Sequence, residues 1–427
     1  MSSFIASEKF TCESALNERT QALLQEITDY LLSHVGSRPE AIVLTGSFAR
    51  GEGSVLLSGR RLRVLGDMEF MVVFPPGAER TGLQRRLDNI ARELGQNLAA
   101  REIDCELEFR AVCPDYFRAL RPQIFGYELL SCGRTLWGDA DILASVPCFP
   151  ASSVPRWDAW RMLHNRILEQ LEAVEAAGSG SAEVLRRHFY QLVKFHLDIG
   201  TTLLVLAGRY EGTYQGRARA LHQWAAETSQ DDSTPFLTEI ARRVKECTAF
   251  KLSPSQEASP LGVDSASVDV AALRESVRRA ALDLAPLAHA VWRWEAGVLA
   301  NKPAGPETDD STLWDAVLRQ QALGEKLRGW GKLLLTPETR QQPGFAARML
   351  RLLRVGSPRY LVYRVAAHLY FELPNLLADK KLPQELLELE RLLPAVFPPS
   401  AGGKHNWREL NSSVLAGWRL FLRNHWA

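Results

Sequence analysis

The sequence predicts an α+β domain, a mixed sheet with packed helices, followed by a mainly α-helical C-terminal region. Two observations carry this. In the first 150 residues, short apolar runs with strand periodicity alternate with segments of helical periodicity. Beyond a proline- and serine-rich hinge at 147–155, helical patterns and loops account for almost everything.

Taken in order, Leu16, Leu23, Leu24, Ile27, Leu31 and Leu32 fall at helical spacings, and Pro39 closes that segment. Ala41-Ile42-Val43-Leu44 is a buried strand that runs into a turn at Thr45-Gly46-Ser47 and a short helix around Phe48 to Glu52. A second strand spans Met68 to Phe74, and Pro75-Pro76-Gly77 stops it. Leu83, Leu87, Ile90, Leu94 and Leu98 mark an amphipathic helix. In the third strand, Ile103, Cys105, Leu107 and Phe109 face one way, and Asp104, Glu106 and Glu108 the other. After the hinge, a stripe from Trp157 to Val174 and a long segment from Val184 to Leu206 read as helices. Stretches at 253–267 and 301–311 read as loops. The expected domains are 1–150, 151–300 and 301–427, the last two helical.

Composition narrows the function. Lys plus Arg (51) nearly equals Asp plus Glu (50), a formal charge of +1, so a surface built to coat nucleic acid is not suggested. A local basic groove stays open, and Arg348, Arg351, Arg354 and Arg359 form one candidate face. No run of 18 apolar residues occurs, and the first residues lack the pattern of a signal peptide; a cytoplasmic protein is expected. The six cysteines show no metal-ligand spacing and read as reduced, mostly buried thiols. The nine histidines show no HxxxH or HExxH pattern, and the tryptophans fall mostly in helical stripes, as core anchors do.

One constellation carries chemistry. Gly46 lets the backbone come close to a phosphate, and the Ser47 hydroxyl with nearby amides can donate to its oxygens. Asp67 and Glu69, two apart on a strand, leave the same face with Cα atoms roughly 6–7 Å apart. That spacing suits a pair of Mg²⁺ ions about 3.5–4 Å apart, with Mn²⁺ as a substitute. Such ions activate an attacking hydroxyl and neutralise a leaving pyrophosphate. A third carboxylate is expected from the neighbouring strand: Glu106 first, then Glu108 or Asp104. Arg50 is placed near the triphosphate, or else as an exposed helix residue. Lys194 is placed on the β- and γ-phosphates, with an i,i+4 pair to Asp198 as the plainer alternative.

Leu44-Thr45-Gly46-Ser47-Phe48-Ala49-Arg50-Gly51-Glu52, followed by Asp67-Met68-Glu69-Phe70, resembles the signature of the DNA polymerase β-like nucleotidyltransferase superfamily, in particular its minimal and kanamycin-nucleotidyltransferase branch. Gly46 and Ser47 match the phosphate-binding pair, and Asp67 and Glu69 the metal ligands. The stretch Gly126 to Gly138 is similar to the end of many such domains. The resemblance covers roughly the first 150 residues and implies the nucleotidyltransferase fold. It also implies a helical domain that completes the nucleotide and acceptor cleft. The chain departs from the pattern at residues 48–66, a longer spacer than usual, whose excess at Val55 to Gly66 suggests an inserted hairpin.

The function expected is transfer of a nucleoside monophosphate, AMP from ATP in the first instance, to an acceptor hydroxyl with release of pyrophosphate. The acceptor class expected is a small molecule or a protein; an RNA end is disfavoured by the balanced charge, and a membrane is not expected. The alternative is a catalytically silent nucleotide- or partner-binding protein of the same fold, like an antitoxin.

Overall fold

The computed structural model describes residues 8–334, apart from 179, 229–233, 256–259, 266, 303–304 and 306. It also describes residues 350, 352–353, 355–379, 384, 386 and 406–423. The chain divides into two units. One comprises 1–158, 207–227 and 241–260, the other 159–206, 228–240 and 261–427. Both are threaded by the chain more than once.

The first unit is α+β. Its elements are α1 (Ser14–His34), β1 (Ala41–Thr45), α2 (Gly46–Ala49), β2 (Val55–Ser58), β3 (Arg61–Val73), α3 (Arg80–Ala99) and β4 (Ile103–Val112). There follow α4 (Pro114–Arg118), α5 (Ile124–Cys132) and β5 (Arg134–Gly138). β1 is antiparallel to β3 and β5, whereas β3 and β4 run parallel, so the sheet is mixed. β3 is the spine. β4 follows one of its edges from Leu62 to Val73, while β2 takes the first part of the other edge and β1 the last.

The second strand is longer than its apolar run suggested, and for a physical reason. Residues 55–66 form an antiparallel hairpin, Val55 opposite Val64 and Ser58 opposite Arg61, whose second strand continues into the acidic segment. The Arg61–Val64 start is polar and apolar by turns, and the ladder hydrogen bonds hold it in register where apolar content alone does not. Gly59 turns the hairpin at φ +62.

Alternation gives the sheet two buried faces. Ile42, Leu44, Met68, Phe70 and Val72 pack against Leu24, Ile27 and Leu31 of α1 and Leu87, Ile90 and Leu94 of α3. Ala41, Val43, Met71 and Val73 meet Phe117, Leu129, Ile142 and Val146 on the other side. By the same period-two rule Asp67 and Glu69 leave β3 on the Met71–Val73 face.

The segments 207–227 and 241–260 add α8 (Tyr214–Glu227) and the end of α9 (Leu237–Leu252) to this unit. Every secondary-structure element of the second unit's described residues is a helix. α6 (Arg156–Ala177) supplies its residues from Ala159 on, with α7 (Ala182–Leu206), α10 (Val270–Ala300), α11 (Asp310–Gln320) and α12 (Leu323–Leu334). Its described helices also include α13 (Pro358–Phe371), α14 (Leu373–Asp379) and α15 (Trp407–Arg423). Its core is aromatic: Trp160, Trp292 and Trp314 lie with ring centroids 5.5–5.9 Å apart, and His164 stacks on Tyr363. These tryptophans are fully buried, as core anchors are. Asp198 is claimed by Arg166, which also holds Glu169.

No helix of the described residues is long and apolar enough to cross a membrane. The six cysteines are free thiols, but the expectation that most are buried is not met. Only Cys247 is buried, Cys12 and Cys148 are exposed, and the others lie between. Of the arginine-rich face, Arg348, Arg351 and Arg354 lie outside the described residues.

Candidate functional site

Strand pairing creates the site. Thr45, the last residue of β1, stands opposite Glu69 of β3. Its hydroxyl donates to the Glu69 carboxylate over 3.2 Å. The next residue, Gly46, turns at φ +67, so close to that carboxylate that an added Cβ would lie 2.8 Å from Oε1. Glycine is required here on two counts: the left-handed backbone and the space that Glu69 occupies. The turn and the carboxylate are therefore in contact, with half-exposed Ser47 beginning the turn of α2.

In the parallel ladder Asp67 is level with Glu106 and Glu69 with Glu108. Between Arg63 and Asp67 the register slips, three residues of β3 facing one of β4, and this bulge brings the two acidic pairs level. Glu106 and Glu108 are exposed, while Asp104 is held by Arg61 at 2.7 Å. Among the described residues no group of three or more His, Cys, Asp or Glu is disposed to hold a metal ion. Asp67 and Glu69 supply carboxylate oxygens, the donor type that a hard cation takes. Mg²⁺ commonly takes only one or two carboxylates from the protein, its other sites going to water and substrate phosphate oxygens.

Arg50 is not the exposed helix residue considered above. Its side chain is 5% exposed, and it donates to Glu128 of α5 at 2.5 Å, with Glu52 at 3.6 Å. Burial opposes the guanidinium charge, but Glu128, Tyr214 and Glu52 outweigh burial and make Arg50 more basic than usual. Glu128 also accepts from Arg217 of α8 and, at 2.8 Å, from the Tyr210 hydroxyl. Burial alone would raise the Glu128 pKa; Arg50 and Arg217 reverse that and hold it below the usual carboxylate range. Glu52 accepts the backbone N–H groups of Tyr214 and Gln215 at 2.8 and 3.1 Å, capping the start of α8.

Lys251, near the end of α9, is 4% exposed. The Ser54 hydroxyl donates to its carbonyl at 2.5 Å, and Leu65 N–H donates to the Ser54 carbonyl. That chain of bonds sets Lys251 beside the segment that leads into Asp67. Its ammonium lies 6.0 Å from the centre of the Tyr214 ring, which also carries Arg50 at 4.9 Å. Burial, and then the like charge of Arg50, push the Lys251 pKa down to about 8, while Asp67, Glu52 and Glu69 pull the other way. The Cys105 thiol of β4 is pushed up to about 12, chiefly by burial, with Glu106 and Asp67 adding to it.

Gly46, Ser47, Asp67, Glu69, Glu106 and Arg50 thus all belong to the α+β unit. Lys194 lies half-buried on α7 of the helical unit. Sequence reasoning missed Glu128, Tyr210, Tyr214, Arg217 and Lys251. One signal was legible: Lys251 sits between Phe250 and Leu252, and a lysine inside an apolar helical turn is unusual unless its charge is compensated.

An open cleft of about 810 Å³ lies elsewhere, lined by residues that include Arg38, Glu40, Pro75, Pro76, Arg118 and Trp137. It is at the other end of β1 and β3 from the acidic pair, and none of the residues above lines it. Comparison with family models, with curated proteins and with solved structures finds no match to this chain.

Proposed function

We propose that the chain is a Mg²⁺-dependent nucleotidyltransferase of the DNA polymerase β-like superfamily, with the α+β unit as its nucleotidyltransferase fold. It transfers a nucleoside monophosphate, AMP from ATP in the first instance, to a hydroxyl of a small molecule or protein. The observation that carries this reading is the Glu69 carboxylate lying against the Gly46 turn, with Asp67 on the same face of the same strand.

A divalent ion bound there supplies charge neutralisation for a triphosphate and acidifies an acceptor hydroxyl. The chain's own groups do the rest. Asp67 and Glu69 would hold the ion, with Glu106, level with Asp67, as the favoured third carboxylate and Glu108, level with Glu69, behind it. Gly46 and Ser47 admit and hydrogen-bond the phosphates. Arg50, enclosed by Glu128 and Glu52, positions the turn that contains it rather than reaching substrate. Lys194, expected from sequence on the phosphates, lies on α7 of the helical unit.

A second reading has its own support. A buried lysine whose carbonyl is tied through Ser54 to the segment leading into Asp67, together with the absence of a three-carboxylate group among the described residues, fits a silent nucleotide- or partner-binding protein. Incubation with each α-labelled triphosphate, Mg²⁺ and candidate acceptors separates the two. Label transfer that is lost in the Asp67→Ala/Glu69→Ala protein supports the enzyme. Tight nucleotide binding without pyrophosphate release in any mixture supports the silent reading.

A further inference from the structure

The turn that begins at Ser47 cannot hold its own shape. α2 is four residues long and has no side-chain cap at its start, and a helix of that length does not persist by itself in water. Its conformation is set by what holds its two ends. Gly46, at the front, is fixed by the sheet through Thr45 and Glu69. The rear, from Arg50 to Glu52, is held by segments much later in the chain.

The main holder is α8, which belongs to the stretch that returns to the α+β unit after residue 206. Buried Glu52 accepts the Tyr214 and Gln215 amides at 2.8 and 3.1 Å, and the positive end of that helix favours its charge. Arg50 lies over the Tyr214 ring at 4.9 Å and donates to Glu128. Arg217, in the first turn of α8, completes the set. It donates to Glu128, to the Tyr210 hydroxyl at 2.8 Å, and to the Glu211 and Gly212 carbonyls at 2.8 and 3.1 Å. Breaking one tie leaves the partner of another buried without its bond, so the ties form and break as a set. Asp67 and Glu69 stand outside this set, because β3 holds them through its ladders with β1 and β4.

We propose that docking of α8 on Glu52 and Glu128 and occupation of the Gly46-Ser47 turn by a triphosphate are coupled equilibria, with Glu52 and Arg217 as positioning residues for the turn. A turn already in place binds phosphates without the entropy loss of ordering itself, and by linkage a bound triphosphate tightens α8 in return. This rests on the nucleotide-binding reading above. It makes α8 part of a site whose sequence motifs lie within the first 150 residues.

The test titrates a non-hydrolysable ATP analogue with Mg²⁺ into the full chain by calorimetry, and Mn²⁺ without nucleotide by electron paramagnetic resonance. Arg217→Met removes the charge and the donors while Arg50 keeps Glu128 paired. It is expected to bind the analogue at least about tenfold more weakly than wild type, and Mn²⁺ as wild type does. Arg217→Lys keeps the charge but has one donor group for several acceptors, and is expected to fall between. Equal analogue affinity in wild type and Arg217→Met overturns the coupling and leaves the nucleotide-binding reading standing. Loss of Mn²⁺ binding alongside analogue binding marks general disruption and overturns the positioning role. A wild type that does not bind the analogue overturns both. Should Arg217→Met fail to fold, hydrogen exchange in the wild type decides. The Tyr214 and Gln215 amides donate to Glu52, so slowing there reports α8 docking rather than a bond to the analogue. At saturation their exchange is expected to slow at least about tenfold, and unchanged exchange overturns the proposal.

Discussion

Arg50 and Glu128 meet at 2.5 Å although 78 residues separate them in sequence, and the contact ties the turn after β1 to α5. Arg50 is nearly out of solvent, and Glu128 is the shared acceptor for Arg217 and Tyr210 as well. Removing one member strands the others. Arg50→Met is expected to lower unfolding stability by about 3–5 kcal/mol in urea titration, the usual cost of leaving a buried charge uncompensated. A loss under about 1 kcal/mol would mean that water reaches Glu128 freely.

The same carboxylate sets a pH dependence. Its folded pKa lies below its unfolded one, so its contribution is fully present above the unfolded value and is lost as pH falls through the folded value. The stability difference between wild type and Glu128→Gln should therefore be constant near neutrality and shrink in acid. Thermal melts of both proteins from about pH 7 down to about pH 3 measure it; parallel curves throughout contradict the assignment.

Glu295 predicts the opposite slope. Burial raises its pKa to about 8, with Thr202 opposing slightly, so folding takes up a proton between the unfolded value and about pH 8. Wild-type stability should fall as pH rises across that window and level off above it, by an amount on the order of a few kcal/mol. In Glu295→Gln the slope should be gone. Equal pH dependence in the two proteins would show that Glu295 is ionised in the folded state.

Gly46→Ala probes the acidic site without touching its charges. The left-handed backbone alone costs an L-residue about 1–2 kcal/mol. The new methyl also meets the Glu69 carboxylate, 2.8 Å from the Cβ position. Urea unfolding should report that loss, and Mn²⁺ affinity should drop because Glu69 is pushed off its place. Unchanged Mn²⁺ affinity would separate the turn from the metal.

Glu52→Ala removes the acceptor for the Tyr214 and Gln215 amides. The expected cost is about 0.5–2 kcal/mol, the range for a lost helix cap. Hydrogen exchange at residues 214–217 should accelerate, whereas exchange in β1 should not; protection that survives at 214–217 would assign the cap elsewhere.

The interleaving of strands and helices, the two-sided burial of β1, and the shared face of Asp67 and Glu69 were all legible in the sequence. Each follows from periodicity along a single stretch of chain, which needs no knowledge of neighbours. The hairpin at Val55 to Gly66 was legible as an insertion, but its continuation into the acidic segment as one strand from Arg61 to Val73 was not, because pairing with two further strands holds it together. Nor was the burial of Arg50, whose helical position alone suggested exposure.

Sequence by itself determined that the first strand runs into a turn at Gly46 and Ser47, and that two carboxylates two residues apart share one side of another. Tertiary structure alone decided that Thr45 stands opposite Glu69, that Arg50 and Arg217 share Glu128, and that Ser54 ties the Lys251 carbonyl to the segment leading into Asp67. The reason is physical: periodicity acts over a few residues, whereas charge compensation is set by distance in space, and the partners here are brought together from segments far apart in the chain.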